Sequence, residues 1–137
     1  MRRLQTRPQF QAVLAGPVLA KSPHFALHCR DTHASDPHHV FPKDLAVSLE
    51  PSIGALLPKR WVKRAVTRNA IKRQIFVIAQ QFESRLSHFA YVVRLRCAVD
   101  RARFVSASSD SLKAAVREEL SGLFAQAVTR MPVAHHA

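Results

Sequence analysis

Residues 54–75 read GALLPKRWVKRAVTRNAIKRQI, and this stretch decides the fold because it contains three kinds of element in direct succession. Its start continues an apolar run, Ile53 to Leu57, which is typical of a strand buried on both faces. Pro58 ends that run, since proline has no N–H to donate to a neighbouring strand. A basic loop follows, and then apolar residues recur at helical intervals. The stretch therefore predicts a strand, a cationic loop and a long helix.

The predicted helix runs from about Val66 to Leu86 and has two different stripes. Five apolar residues at helical spacing would anchor it in a core: Ile71, Ile75, Ile78, Phe82 and Leu86. At about 100° per residue, a second set covers a flanking sector of roughly 140°. This second set consists of Arg68, Asn69, Lys72, Arg73 and Phe76. One helix thus combines an apolar stripe with a cationic, solvent-facing one.

Charge indicates the class of partner. Seven basic side chains and no acidic one lie between Pro51 and Phe82, and the 137-residue chain has a formal net charge of +12. Clustered like charges repel one another unless a polyanion relieves them. This composition favours nucleic acid or an anionic membrane over a neutral small molecule. An apolar content of 47% argues against a disordered basic tail.

The other elements complete one domain. A short helix is predicted after Thr6, with Gln9 as its capping-box partner and Gly16 as its stop. Residues 18–21 are predicted to form a short extended piece, and period-two alternation predicts strands at 25–30, 45–49 and 90–97, the last with Arg94 and Arg96 on a cationic face. A closing helix starts near Asp110. The expected fold is an α/β (α+β) two-layer sandwich, one small mixed sheet of about four strands packed against three helices.

The length suits a single domain over residues 1–130, which the charge indicates is a nucleic-acid-binding domain, with a loop insertion at 31–44 and a flexible tail at 131–137. No run of eighteen apolar residues occurs, so no membrane span is predicted. A secretory signal is disfavoured because Gln11, Gly16 and Pro17 interrupt the apolar segment. Cys29 and Cys97 are far apart and are expected to be free thiols, which favours a reducing, cytoplasmic location.

Neither a metal site nor a protein active site is predicted. His24 and His28 share a strand face but are about 13 Å apart along the backbone, and no tetrahedral ligand set completes them. The acidic residues stand singly except for Glu118 and Glu119. A protein nuclease needs grouped carboxylates or a His pair with a Lys. The isolated polypeptide is therefore expected to cleave nothing and to have no catalytic residue.

Residues 54–75 resemble the signature of the bacterial ribonuclease P protein subunit, in which a strand ends in basic residues and an Arg-Asn-x-x-Lys-Arg helix follows. The segments FQAVL at 10–14 and YVVRL at 91–95 support the resemblance. It implies a left-handed crossover between the last two parallel strands, against the right-handed default. It also implies a subunit that binds the catalytic RNA and the 5′ leader of precursor tRNA, assisting 5′ maturation while the RNA cuts. Mg²⁺ would be held by the RNA, with no cofactor on the protein, no membrane and no obligate protein partner.

The resemblance also assigns residues. Contacts to the catalytic RNA would come from Lys59, Arg60, Lys63, Arg64, Arg68, Asn69, Lys72 and Arg73. The substrate-leader cleft would include Phe10, Val13, Leu14, Phe25 and His28, although Phe10 and Phe25 also suit a core. Trp61 and Phe76 are candidates for stacking on bases, and packing under the loop is equally open for Trp61.

Three other classes are separable by sequence features. A ribosomal or other structured-RNA binding protein without a processing role would co-purify with a different RNA. A helix-turn-helix DNA regulator requires a helix directly upstream of Val66, where Pro58 and the apolar run stand instead. A secreted, membrane-active protein would require cleavage near Ala20.

Overall fold

The computed structural model describes residues 1–31, 51–98 and 110–130. Within these ranges it has five strands, three α-helices and a 3₁₀ turn at Glu83–Arg85. They are β1 (Arg2–Arg3), α1 (Arg7–Leu14), β2 (Val18–Lys21), β3 (Phe25–Arg30), β4 (Ser52–Leu56), α2 (Ala65–Phe82), β5 (Ala90–Leu95) and α3 (Asp110–Arg130). The predicted sandwich is confirmed, with one strand more than expected because β1 pairs with β4.

The strand order β1-β4-β5-β3-β2 places β4, which begins the decisive stretch, inside the sheet between β1 and β5. β4 and β5 are parallel neighbours, in register from Ser52 opposite Ala90 to Leu56 opposite Arg94. Parallel neighbours need a crossover connection, and α2 lies between these strands in the chain. β3 pairs antiparallel with β5 on one side and with β2 on the other. The basic loop therefore follows the end of the interior strand β4.

The two faces of the sheet bury two separate apolar clusters. The larger cluster packs α2 and α3 against one face and includes Phe25, Ile75, Tyr91 and Phe124. The smaller cluster lies on the opposite face, which we call the α1 face, because the α1 residue Val13 contributes to it together with Ala90 and Val92 of β5. Alternation along β5 explains the division, since successive strand residues point to opposite faces.

α1 has the predicted capping box. Oγ1 of Thr6 accepts from the backbone N–H of Gln9 (3.4 Å), and Oε1 of Gln9 accepts from the backbone N–H of Thr6 (3.0 Å). The helix ends at Leu14, two residues before Gly16. A Cβ atom on Gly16 would lie 2.8 Å from the carbonyl oxygen of Cys29, so glycine is needed there for the close approach of β3.

Glu119 has a structural role. Its Oε2 accepts from Ser22 Oγ (2.5 Å) and from the backbone N–H of His24 (2.7 Å), while Oε1 lies 2.7 Å from Nδ1 of His24. These contacts tie α3 to the turn before β3. Within the described ranges no group of three or more His, Cys, Asp or Glu side chains could hold a metal ion.

Both cysteines are free thiols, as predicted. Burial raises the pKa of Cys29 to about 12, so this thiol stays protonated and unreactive at neutral pH. The predicted strand at 45–49, the tail at 131–137 and the insertion beyond Asp31 lie outside the described residues. No helix in the described ranges is both long and apolar enough to cross a bilayer.

Candidate nucleic-acid interface

The basic loop and α2 form a continuous cationic surface. Its exposed members, which we call the basic surface, are Lys59, Arg60, Lys63, Arg64, Asn69, Lys72 and Arg73. In the part of the chain that the structure describes, none of its six basic side chains contacts a carboxylate. The described residues therefore leave this charge uncompensated, which is the arrangement that attracts a polyanion.

Arg68 differs from the other predicted contacts. It is half-buried, and its Nη1 donates to the carbonyl oxygens of Val62 and Lys63, both at 2.9 Å. The sequence placed it on the flanking, solvent-facing stripe, and the structure adds that it is only partly exposed because the carbonyls of the basic loop lie against its guanidinium group. Arg68 fixes the shape of the basic loop, and its remaining N–H groups stay available for other contacts.

Phe76 lies in a shallow groove of about 260 Å³ at one end of the basic surface. The guanidinium carbon of Arg3 is 4.1 Å from the centroid of its ring, a cation–π distance. Asn69, Lys72 and Arg73 also line the groove. The sequence could not assign Arg3 to this site, because only the pairing of β1 with β4 brings it there. Stacking of Phe76 on a base stays a prediction.

Trp61 is half-buried and packs partly against the larger cluster. The guanidinium carbon of Arg60 lies 4.4 Å from its ring centroid. The geometry favours packing under the loop, one of the two interpretations that the sequence left equally open, while contact of Trp61 with RNA is untested.

The α1 face has an apolar floor with a partly exposed aromatic ring above it. The ring of Phe10 lies directly over Gly54, where an added Cβ would come within 2.6 Å of Cε1. Leu14 and Leu56 are half-buried beside it, and Val13 is fully buried beneath. Glycine at position 54 thus creates the space that the ring occupies.

Phe25 does not belong to this face, so its assignment to the substrate-leader cleft is wrong. It is only 2% exposed and packs in the larger cluster on the opposite side of the sheet. The reason is the period of two: Phe25 and Leu27 point to one face, whereas Ala26 and His28 point to the other. Of the five predicted cleft residues, the other four lie on the α1 face.

His28 is buried on the α1 face, and its Nε2 lies 3.2 Å from Nε of Arg94. Burial lowers the pKa of His28, and the positive charge of Arg94 lowers this pKa further. The backbone of Gly16 partly opposes the shift, but Nδ1 has no partner in hydrogen-bonding geometry. The sequence indicated a cationic strand face at Arg94 without assigning it to a site.

We expect the stability of the protein to fall in mildly acidic solution because of His28. Its folded-state pKa lies below the ordinary value of 6.5, so the unfolded chain takes up the proton first as the pH falls. The contribution is complete above pH 6.5 and is lost as the pH falls through the folded-state pKa, with a slope of at most about 1.4 kcal/mol per pH unit. Urea unfolding at a series of pH values measures it.

The His28→Gln variant should lose this part of the pH dependence. His88→Gln is the matched control, since that side chain is exposed in the folded protein as well. An unchanged pH profile for His28→Gln would contradict the assignment.

Comparison with known proteins identifies a matching family model and similar solved structures. Residues 1–121 match the family model described as Ribonuclease P. No curated protein is significantly similar in sequence. The fold is similar to the Staphylococcus aureus RNase P protein, with a TM-score of 0.65 and 17% identity over 96% of this chain and 99% of that one. A mutant of the S. aureus protein with defective mRNA degradation activity gives a TM-score of 0.61 and 18% identity, over 90% and 85% of the two chains.

Proposed function

The chain belongs to the ribonuclease P protein family, and we propose that its basic surface contacts the catalytic RNA while its α1 face receives the 5′ leader of precursor tRNA. Family membership makes the chain the protein subunit of a ribonucleoprotein that processes tRNA. Its RNA partners are accordingly the ribonuclease P RNA and precursor tRNA.

One observation carries the assignment of the basic surface: its six cations have no carboxylate partner in the described ranges. Cations that the fold leaves unpaired can each neutralise a phosphate and release a counterion, which supplies affinity for structured RNA without base readout. Their rigid display on α2 and on a loop fastened by Arg68 lowers the entropy lost on binding.

The α1 face suits a different nucleic acid. Phe10 offers a partly exposed ring above an apolar floor, and bases of a single strand stack on such rings without sequence preference. α1 and α2 pack on opposite faces of the sheet. The protein can therefore contact the catalytic RNA and the leader at the same time.

Catalysis is assigned to the RNA subunit. This proposal is supported by the carboxylate of Glu119, which contacts Ser22 and His24 and so serves the fold. Mg²⁺ would be held by RNA phosphates, since it prefers oxygen ligands and keeps several waters. The protein would act in the cytoplasm, without a cofactor of its own and without an obligate protein partner.

A leader-length series tests the two-surface arrangement. The holoenzyme and the RNA subunit alone would be titrated with precursor tRNAs whose leaders contain one to ten nucleotides. We expect the protein's contribution to substrate affinity to increase with leader length and then to level off. An equal contribution at a leader of one nucleotide would overturn the role of the α1 face.

A further inference from the structure

We propose that Arg94 binds a phosphate of the leader on the α1 face and that His28 is the positioning residue that aims its guanidinium group. The inference rests on the proposed role of the α1 face and names the side chain that recognises the leader backbone there.

Strand register brings the two side chains together. On β3 and β5, Ala26 pairs with Arg94 and His28 pairs with Val92, so His28 and Arg94 are diagonal neighbours on one face. Arg94 is half-buried near the end of β5. It pairs with the half-buried Leu56 at the end of the neighbouring strand β4. The paired strands thus fix the backbone of Arg94 beside Leu56, which is part of the apolar floor, and leave the side chain partly exposed.

The contact between the two residues sets the orientation of the guanidinium group. Nε of Arg94 can only donate, so Nε2 of His28 accepts and the imidazole proton lies on Nδ1. His28 stays neutral at neutral pH because burial and the cation beside it both oppose protonation. An arginine held through Nε presents its two Nη groups on the opposite edge of a rigid plane.

This free edge has the geometry of a phosphate site. Within the described residues, the guanidinium group of Arg94 has no hydrogen bond or ion pair other than the hydrogen bond to His28. Arg30, a cation of β3 on the same face of the sheet, donates to the carbonyl oxygen of Ala12 and is thereby tied to α1. Two parallel Nη donors match two phosphate oxygens. Phe10 and Leu14 supply apolar surface for a base on the same face.

The test measures substrate affinity of the holoenzyme against salt concentration, for precursor tRNAs with leaders of one and eight nucleotides. With Arg94→Gln, we expect roughly tenfold weaker binding of the long-leader substrate and a salt slope smaller in magnitude by about 0.7. Binding of the short-leader substrate should not change. Lys113→Gln, on α3 at the other face of the sheet, is the control for loss of one charge.

His28 variants separate positioning from charge. His28→Leu should weaken long-leader binding without any change in net charge, because Nε of Arg94 loses its acceptor. His28→Gln should restore binding, since its amide oxygen can accept the same hydrogen bond. Thermal unfolding of each variant confirms that the fold is retained, and the Arg94→Gln/His28→Leu double variant should be no weaker than Arg94→Gln alone.

The outcomes distinguish this inference from the proposed function. If wild-type affinity depends on leader length but Arg94→Gln leaves that affinity and the salt slope unchanged, the phosphate site is wrong and the α1 face stands. If His28→Leu, still folded, binds normally, the positioning role is wrong. If wild-type affinity is independent of leader length, the α1 face itself does not bind the leader.

Discussion

The variant Lys63→Gln/Arg64→Gln/Lys72→Gln/Arg73→Gln should lose about three orders of magnitude in affinity for the ribonuclease P RNA near 0.15 M salt, if each side chain contacts one phosphate. All four are exposed and unpaired within the described ranges, so the fold should be retained. The salt slope of binding should decrease in magnitude by about 3 to 3.5. Gel-shift titrations at several salt concentrations measure both quantities, and circular dichroism checks the fold.

A charge-matched variant is the control for this experiment. It removes four cations that lie outside the basic surface: Lys21, Arg85, Lys113 and Arg130. Its net charge falls equally, but its salt slope should change far less. Equal losses for the two variants would show that the basic surface acts only through net charge, and an unchanged slope in the first would exclude it as the RNA contact.

Arg68 is left out of this variant for a structural reason. Its hydrogen bonds to the carbonyls of Val62 and Lys63 hold the loop, so Arg68→Ala would alter loop geometry and charge together. Arg68→Lys keeps the charge but cannot reproduce the planar donor arrangement.

The second large effect is on stability, and it should differ between two phenylalanines on opposite faces of the sheet. Phe25→Ala should lower the free energy of unfolding by about 3–5 kcal/mol, because the ring is 2% exposed in the larger cluster. That loss is a large part of the roughly 5–15 kcal/mol that stabilises a domain. Phe10→Ala should destabilise less, since its ring is partly exposed. Urea unfolding of both variants measures the difference.

Leader binding should show the reverse order. Phe10→Ala is expected to weaken binding of a long-leader substrate by about 1–3 kcal/mol, the range measured for one stacked base. Phe25→Ala should leave it nearly unchanged under conditions where the variant is folded. If the leader effect belonged to Phe25 instead, the assignment of the faces would be wrong.

Local sequence patterns were sufficient to predict the strand and the helix of the decisive stretch. The strand was expected at 53–57 and lies at 52–56, and the helix was expected to begin at about Val66 and begins at Ala65. The alternation at 25–30 and the capping box at Thr6 were equally readable, because each depends on residues within a few positions of one another. The choice of face was not readable, since alternation defines two faces without saying which helix covers either.

The amino-acid order by itself determined the three α-helices and the strands β2 to β5, the concentration of cations after an interior strand, and the class of partner, but it did not indicate β1. These properties follow from helical and strand periods and from the number of charges, which need no knowledge of distant residues. Strand order alone decided that Phe25 faces α2 and α3, that Arg3 reaches Phe76, and that His28 meets Arg94 across β3 and β5. These contacts join residues far apart in the chain, and they exist only once the strands have paired.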